Sequence, residues 1–344
     1  MSAYLHRRQI LQRLVGVFGT LILTFIGLTA TTFAIGRFVP VDPVAVIVGD
    51  RASPEAYQKV RAELGLDKPV LTQYANYLGK LVTLDLGQSL VTRSPVSQDL
   101  AKVFPATFEL ASLAMIIGVM GGIPLGVLAA QHKGDWVGAV CRVVALPGYS
   151  TPIFWLGMMA LVVFYVNLGW ASEPGRAGIA FQGSVPVVTG LLTLDAAIAR
   201  DWAALSDALF HLALPSIVLG YASLAYISRM TRSLMLDQLG QEFVLAARAK
   251  GASESRVIWR HVFPNILVPL VTVVALAYAQ LLEGAVLTET VFSWPGLGQY
   301  MTTSLFNGDL NSVLGATVLI GAIFISVNLL SDILYRFLDP RTRV

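Results

Sequence analysis

Residues 106–130 have the sequence ATFELASLAMIIGVMGGIPLGVLAA and are followed by the polar run Gln131-His132-Lys133-Gly134-Asp135. A helix that crosses a bilayer needs about 20 mostly apolar residues. This stretch is long enough and apolar enough to do so. It therefore predicts a membrane-spanning helix, and the rest of the chain can be compared with it.

Five further stretches have the same character. Leu14–Ile35, the first of them along the chain, could be mistaken for a secretory signal. It is longer than the apolar region of such a signal, however, and lacks a clear small-residue cleavage site. The third predicted span of the chain is interrupted by Pro147-Gly148 and by Pro152. The five stretches are Leu14–Ile35, Val137–Leu168, Leu212–Met230, Pro264–Leu287 and Val313–Tyr335. Together with residues 106–130 they predict an all-α polytopic membrane protein with six transmembrane helices.

The composition supports the same class. Of the 344 residues, 55% are hydrophobic and only 13% are charged, whereas a soluble domain carries about 25% charged residues. The net charge of +3 is too small to indicate nucleic-acid binding. A single cysteine, Cys141, excludes an intrachain disulfide and a cysteine-based metal site. The chain contains no Walker A loop, no H-E-x-x-H and no G-x-S-x-G motif.

The distribution of basic residues predicts the orientation. The segments on the side of the N-terminus carry most of the Lys and Arg residues that flank spans, whereas the short loops on the opposite side carry only Arg176 and Arg200. The positive-inside rule then places both termini in the cytoplasm. The predicted organisation is a cytoplasmic tail at 1–13, a first transmembrane helix at 14–35, a periplasmic helical segment at 36–105, a five-helix transmembrane core at 106–336 with a cytoplasmic loop at 231–263, and a cytoplasmic tail at 337–344.

The loop at 231–263 has the pattern of a helical hairpin. Residues 238–250 favour a helix that stops at Lys250-Gly251, where a cation meets the carboxyl end and glycine can adopt a positive φ. Ser253 and Glu254 then predict a new helix, with an N-cap hydroxyl and an acid in its first turn, that ends near Val262. Ala246, Ala247 and Ala249 either allow close approach of another protein or are simply good helix formers.

This loop resembles a known motif. The residues that carry the resemblance are Ala246, Ala247, Arg248, Ala249, Lys250, Gly251, Val257, Arg260, His261 and Asn265. They resemble the coupling loop, or EAA motif, of ABC importer permeases, and most closely that of the dipeptide/oligopeptide branch. Leu245 stands where a Glu is frequent in the general motif, which removes one potential acidic contact to the ATPase.

Two other segments support the same resemblance. The run from Glu289 to Gly298 is similar to the outer loop before the last span in that branch, through Glu289, Phe292, Trp294, Pro295, Gly296 and Gly298. The segment after the first span is similar to the segment that marks the B-type membrane subunit. Its matching residues are Glu63-Leu-Gly-Leu-Asp67-Lys-Pro69, Gln73-Tyr74, Asp85-Leu-Gly87-Gln-Ser89 and Pro95-Val96.

The resemblance implies an ABC type I importer permease fold and a set of partners. These are a C-type permease subunit in a heterodimer, two ATPase subunits that bind ATP and Mg, a periplasmic substrate-binding protein and membrane lipid. It implies no cofactor or metal on this chain, no catalytic residue, no nucleic-acid partner, and a bacterial inner-membrane location. The substrate it favours is a dipeptide or oligopeptide. Nickel, glutathione and oligosaccharides, which the same branch carries, remain alternatives.

Several features allow two interpretations. Gly118, Gly122 and Gly126 permit close helix packing, either within the chain or between subunits. Glu283 is a candidate pathway residue, or a solvated group at the outer interface. Trp294 is interpreted as an aromatic anchor at the interface.

Two other functional classes compete with the ABC permease. An ion-coupled secondary transporter usually shows buried acids at the membrane midplane, and acids are few in the spans of this chain. A membrane enzyme needs a catalytic constellation, and the sequence shows none.

Overall fold

The computed structural model describes residues 19–20, 22–37, 43–49, 52–63 and 65–338, and its regular structure is helical. Within that part of the chain, extended pairing is limited to one β-bridge between Gln88 and Pro95. The helices are α1 (Ile22–Arg37), α2 (Pro43–Val48), α3 (Pro54–Glu63), α4 (Val70–Val82), α5 (Val96–Gln131), α6 (Trp136–Ser150), α7 (Ile153–Ala160), α8 (Leu192–Ala199), α9 (Trp202–Leu239), α10 (Glu242–Ala249), α11 (Glu254–Arg256), α12 (Phe263–Val291), α13 (Leu297–Phe306) and α14 (Leu310–Leu338).

These helices account for the six predicted spans. Four helical runs are each long and apolar enough to cross a membrane: α5, α9, the run from Glu254 to Leu282, and Leu310–Ser331. α6 and α7 form a fifth candidate as a bent pair. α1 covers most of the predicted first span, although residues 14–18 and 21 lie outside the described residues, as do the tail 1–13 and residues 339–344.

The third span is broken at one place rather than two. α6 continues through Pro147 and Gly148, and the chain bends by 102° between α6 and α7. Thr151, between the two helices, is extended at φ −100° and ψ 134°, because a residue before proline is pushed out of the helical region by Pro152. A π-helical stretch, Leu161–Asn167, continues α7.

Three glycines bring α5 and α9 into close contact. A Cβ added at Gly118, Gly122 or Gly126 would lie 2.7 Å from Ser223 Oγ, 2.8 Å from the Leu224 carbonyl oxygen and 2.5 Å from the Ser228 carbonyl oxygen, respectively. Small residues at this spacing allow two helix backbones to approach within a membrane. The glycine stripe is therefore used for packing within the chain.

The chain divides into two compact units, residues 1–102 with 300–325 and residues 103–299 with 326–344. In the first unit, the buried carboxylate of Asp309 accepts hydrogen bonds from Ser89 Oγ (2.6 Å), from the Leu90 amide (2.8 Å) and from Ser312 Oγ (2.8 Å). Ser89 belongs to the Asp85–Ser89 motif, so this contact gives that motif a structural role. The second unit contains the candidate site.

Candidate functional site

The chain between α9 and α12 forms a helical hairpin, Glu242–Val262, as expected from the sequence. Its boundaries differ from the prediction. α9 runs past Met230 to Leu239, and α10 begins only at Glu242, because Gly240 ends α9 and Gln241 is extended. The predicted loop at 231–263 therefore starts inside α9, and it departs from that long helix after Leu239.

Gly251 makes the turn of the hairpin in the left-handed conformation, at φ 80°. The Gly251 amide donates to the Arg248 carbonyl oxygen at 2.9 Å, and the Ala252 amide donates to the Ala247 carbonyl oxygen at 3.1 Å. This pair of bonds is the Schellman arrangement that closes a helix with glycine just beyond its last turn. The predicted helix stop at Gly251 is confirmed.

An ion pair closes the hairpin across this turn. Arg248 Nε and Nη2 donate to Glu254 Oε1 and Oε2 at 2.8 and 3.0 Å. The two hydrogen bonds lower the pKa of the Glu254 carboxyl from its ordinary value. Ser253 occupies the N-cap position before Glu254, as predicted, but its side chain accepts no capping hydrogen bond. The opposite charges that flank Gly251 were the sequence signal for this pair.

The second helix of the hairpin does not end at Val262. α11 passes through a π-helical stretch, Val257–Val262, directly into α12. Pro264 lies in the first turn of α12, where its missing amide hydrogen costs little, and the wider π turns precede it. The hairpin is therefore continuous with the fifth predicted span.

One face of the hairpin is anchored in the core of the second unit. The buried residues of this core come from the hairpin, from the end of α5, from α9 and from α12, and they are Val127, Ala130, Met235, Val244, Val257, Ile258, Val262, Ile266 and Leu270. Ala247 and Ala252 pack against them. Burial of apolar side chains is worth roughly 25 cal/mol per Å², so this contact holds the hairpin to the spans.

The opposite face is open and partly apolar. Leu245 is 62% exposed and Trp259 is 50% exposed. Ala246, Ala249 and Lys250 are also exposed, with Gly251 and Arg260, whereas His261 is half-buried. Asn265 is exposed and donates to the His261 carbonyl oxygen at 2.8 Å. Large apolar side chains exposed on an anchored element are typical of a site that contacts another protein or the membrane.

The second motif surrounds a buried glutamate. Glu289 Oε1 accepts from Thr107 Oγ1 at 2.6 Å, and Glu289 Oε2 accepts from the amides of Gly298 at 2.6 Å and Gln299 at 3.2 Å. We call this group the glutamate clasp. The chain must fold back closely to form it, since a Cβ at Gly296 would lie 2.3 Å from Glu289 Oε1. No sequence pattern indicated that Thr107 takes part.

Trp294 is part of the same packing. The interpretation of Trp294 as an interfacial anchor is wrong, because its side chain is buried, at 1% exposure, and its indole Nε1 donates to the Ala106 carbonyl oxygen at 2.9 Å. Phe292 is also buried, and Pro295 lies in the turn before α13. A tryptophan buried in protein satisfies its N–H internally, which periodicity and position along the chain do not reveal.

The predicted site residues thus form two groups, one at each end of α12. The predicted coupling-loop residues end at Asn265 and the predicted outer-loop residues begin at Glu289, near the two ends of the 29-residue α12. Glu283 is part of α12, but its side chain lies outside the described residues. The two groups therefore lie near opposite ends of one helix.

Comparisons with known proteins assign the chain to a family. The sequence profile described as binding-protein-dependent transport system inner membrane component matches residues 122–344, and the profile for the N-terminal part of that component matches residues 7–111. The di/tripeptide transport system permease protein DppB of Pseudomonas aeruginosa is 42% identical over 326 residues, covering 94% of this chain and 96% of the relative. The dipeptide transport system permease protein DppB of Escherichia coli K12 is 43% identical over 327 residues, with the same coverage.

A solved structure shares the fold. A chain of the inward-facing MetNI methionine ABC transporter superposes with a TM-score of 0.54, covering 70% of this chain and 97% of that chain at 16% sequence identity. At that identity the likeness extends to the arrangement of helices.

Proposed function

The chain belongs to the family of binding-protein-dependent transport system inner membrane components, and we propose that it is the B-type membrane subunit of an ATP-driven importer of dipeptides and short oligopeptides. Family membership makes it a multi-pass component of the inner membrane, with a role as a transport subunit. In this function it forms half of the translocation pathway and carries out no chemical step of its own.

The hairpin Glu242–Val262 is the observation that carries the proposal. It is anchored by buried side chains on one face and exposes Leu245 and Trp259 on the other. An anchored hairpin with exposed apolar side chains can bind a separate protein and pass the movement of that protein to the spans. We infer that this protein is an ATPase subunit, which binds and hydrolyses ATP with Mg.

The same family supports a proposal for the finer assembly. We propose a heterodimer with a C-type permease, two ATPase subunits on the hairpin side, and a substrate-binding protein on the opposite side. The hairpin and both termini then face the cytoplasm, in agreement with the excess of basic residues around them. Lipid surrounds the exposed apolar faces of the spans.

Relatives named for dipeptide and di/tripeptide transport support the peptide substrate, because they match this chain at 42–43% identity over nearly its full length. Nickel, glutathione and oligosaccharides are the alternatives. A transport assay distinguishes these substrates from peptides.

The assay uses the subunit purified with its partners and reconstituted in liposomes. We expect uptake of a labelled dipeptide that requires both ATP and the binding protein. Uptake driven by an ion gradient without ATP would contradict the ATP-driven class. Competition by Ni²⁺, glutathione or an oligosaccharide, with no competition by unlabelled dipeptide, would contradict the peptide substrate.

A pair of tryptophan variants tests the hairpin in the same preparation. Trp259→Ala removes an exposed side chain of the hairpin, and Trp170→Ala removes one of similar exposure outside it, at 50% and 68%. We expect Trp259→Ala to reduce the ATPase retained on the complex, with Trp170→Ala unchanged. Equal retention in both variants would contradict docking on this face.

A further inference from the structure

Helix α4 packs directly against the first span. The hydroxyl groups of Tyr74 and Thr29 lie 2.9 Å apart, and Tyr74 also donates to the Ile26 carbonyl oxygen at 3.2 Å. The ring of Phe33 lies 5.4 Å from that of Tyr74 and 5.8 Å from that of Tyr77. Both helices belong to the first compact unit.

These contacts lie well inside the apolar part of α1. The apolar stretch ends at Arg37, and Thr29 precedes it by about two turns, or roughly 12 Å of helix. The hydrocarbon layer is about 30 Å thick. A helix that contacts Phe33 and Thr29 therefore lies beside the part of α1 that crosses the half of this layer nearer Arg37. Arg37 itself reaches back, and its Nη1 donates to Gln73 Oε1 at 3.0 Å.

The surface of α4 has three distinct sectors. One faces α1 and contains Gln73, Tyr74, Tyr77 and Leu81, which are buried or half-buried. The second is an apolar flank at helical spacing, formed by Leu71, Ala75, Leu78 and Val82, of which Leu71 is 79% and Val82 is 83% exposed. The third is a polar flank, formed by the exposed Thr72, Asn76 and Lys80.

A strained leucine extends the exposed apolar surface. Leu84, just beyond the end of α4, adopts φ 56° and is 72% exposed. The left-handed conformation costs a residue with a side chain roughly 1–2 kcal/mol, and glycine is the usual choice there. Exposure of the leucine side chain to water does not offset this backbone cost, whereas its contact with hydrocarbon does.

We propose that α4 is an interfacial membrane helix that lies in the leaflet at the Arg37 end of α1. The apolar flank contacts acyl chains, the polar flank contacts headgroups and water, and the remaining face is fixed to the span. A helix with one apolar and one polar side is the kind that binds in the plane of a bilayer. Part of the segment 36–105 then belongs to the membrane surface rather than to the surrounding water.

Nitroxide labels on the two flanks test this proposal. In the assembled transporter in phospholipid nanodiscs, with Cys141 replaced by Ala, single cysteines are introduced at Leu71 and Val82 on the apolar flank and at Thr72 and Asn76 on the polar flank. Accessibility is measured to oxygen, which concentrates in lipid, and to a water-soluble nickel chelate. We expect a several-fold higher oxygen-to-nickel ratio at Leu71 and Val82 than at Thr72 and Asn76.

Two results would overturn the proposal. Equal nickel accessibility on both flanks would place α4 in water, and low accessibility of Leu71 and Val82 to both reagents would show that protein covers this flank. Lysine substitutions give an independent readout. Leu71→Lys and Val82→Lys should lower the amount of folded subunit in the membrane, and Thr72→Lys and Asn76→Lys should not. Equal levels in all four variants would also contradict lipid contact.

Discussion

At Gly251 the backbone conformation excludes most other residues. At its φ of 80°, an added Cβ would have nothing within 4 Å, so a side chain there meets backbone strain without a steric clash. We expect Gly251→Val to disturb the turn most, because β-branched residues resist positive φ, at a cost of about 1 kcal/mol or more. The subunit should still insert, but retain less ATPase on the purified complex and support less uptake.

Gly240→Val is the matched control for that variant. Gly240 also ends a helix next to the hairpin, but its φ of −82° is open to any residue. Retention and uptake should therefore stay near the wild-type level. If Gly251→Val also retained ATPase and transported normally, Gly251 would have no role in setting the hairpin.

The pair of Arg248 and Glu254 gives a second prediction at this scale. Both side chains are substantially exposed, so an ion pair between them contributes at most about 1 kcal/mol. Glu254→Gln should increase hydrogen exchange at the amides of Gly251 and Ala252 by a few-fold. The double variant Arg248→Glu/Glu254→Arg should restore part of this protection. The restoration should be incomplete, because the swapped acid then lies at the carboxyl end of α10, where the helix dipole disfavours a negative charge. If the double variant restored no protection, the effect of Glu254→Gln would not come from the ion pair between the two side chains.

The same pair predicts a pH dependence. The hydrogen bonds from Arg248 lower the pKa of Glu254 in the folded protein. A lowered carboxyl pKa gives stability that is present above the unfolded value and is lost as the pH falls through the folded value. The difference in exchange between wild type and Glu254→Gln should thus be constant near neutral pH and shrink below about pH 4. A difference that persists in acid would exclude this origin.

Some of these residues could be predicted from the sequence and others could not, for physical reasons. Gly251 was predictable because helix termination and positive φ are local properties. The Arg248–Glu254 pair was missed although both residues are close to the turn, because Ser253 offered a more familiar cap. Burial of Trp294 depends on the Ala106 carbonyl oxygen, far away along the chain, and no local pattern encodes such a contact.

Among the elements, the contact between the start of α13 and α12 leads to the sharpest steric prediction. A Cβ at Gly298 would lie 2.3 Å from Val286 Cα, and backbone cannot move aside as a side chain can. We expect Gly298→Ala to destabilise the protein by roughly 1–3 kcal/mol, as overpacking does. The measurement is the thermal midpoint of the purified complex.

Gly284→Ala, within α12, provides the comparison. A Cβ there has nothing within 4 Å, and alanine favours a helix more than glycine does. The midpoint should be unchanged or slightly higher. A Gly298→Ala protein as stable as Gly284→Ala would show that the chain around the glutamate clasp relaxes more easily than its geometry indicates.

The elements themselves were largely predictable from apolar length. All six stretches coincide with helices within the described residues, because membrane insertion imposes about 20 apolar residues on each. Their ends were not predictable to the same degree. α9 continues beyond Met230 to Leu239, because a helix that leaves the membrane can continue where other helices pack against it.

For the whole molecule, the orientation in the membrane gives the most direct prediction. With Cys141 replaced, a cysteine at the exposed Ser255 should react with a membrane-impermeant thiol reagent only after the cell is opened. A cysteine at the exposed Ser184, in the loop between α7 and α8, should react in intact cells. The reverse pattern would invert the predicted topology and remove the hairpin from any cytoplasmic ATPase.

The unbroken passage of α11 into α12 has a mechanical consequence for such an importer. From Glu254 to Val291 the chain is continuously helical over about 55 Å, with the second helix of the hairpin at one end and the buried carboxylate of Glu289 near the other. The regular α-helical bonding of this run is interrupted at the π turns Val257–Val262 and at Pro269. If the ATPase proposed above binds the hairpin and those turns stay rigid, a movement of the hairpin also displaces the other end of the run, where Glu289 is held by Thr107 and by the amides of Gly298 and Gln299.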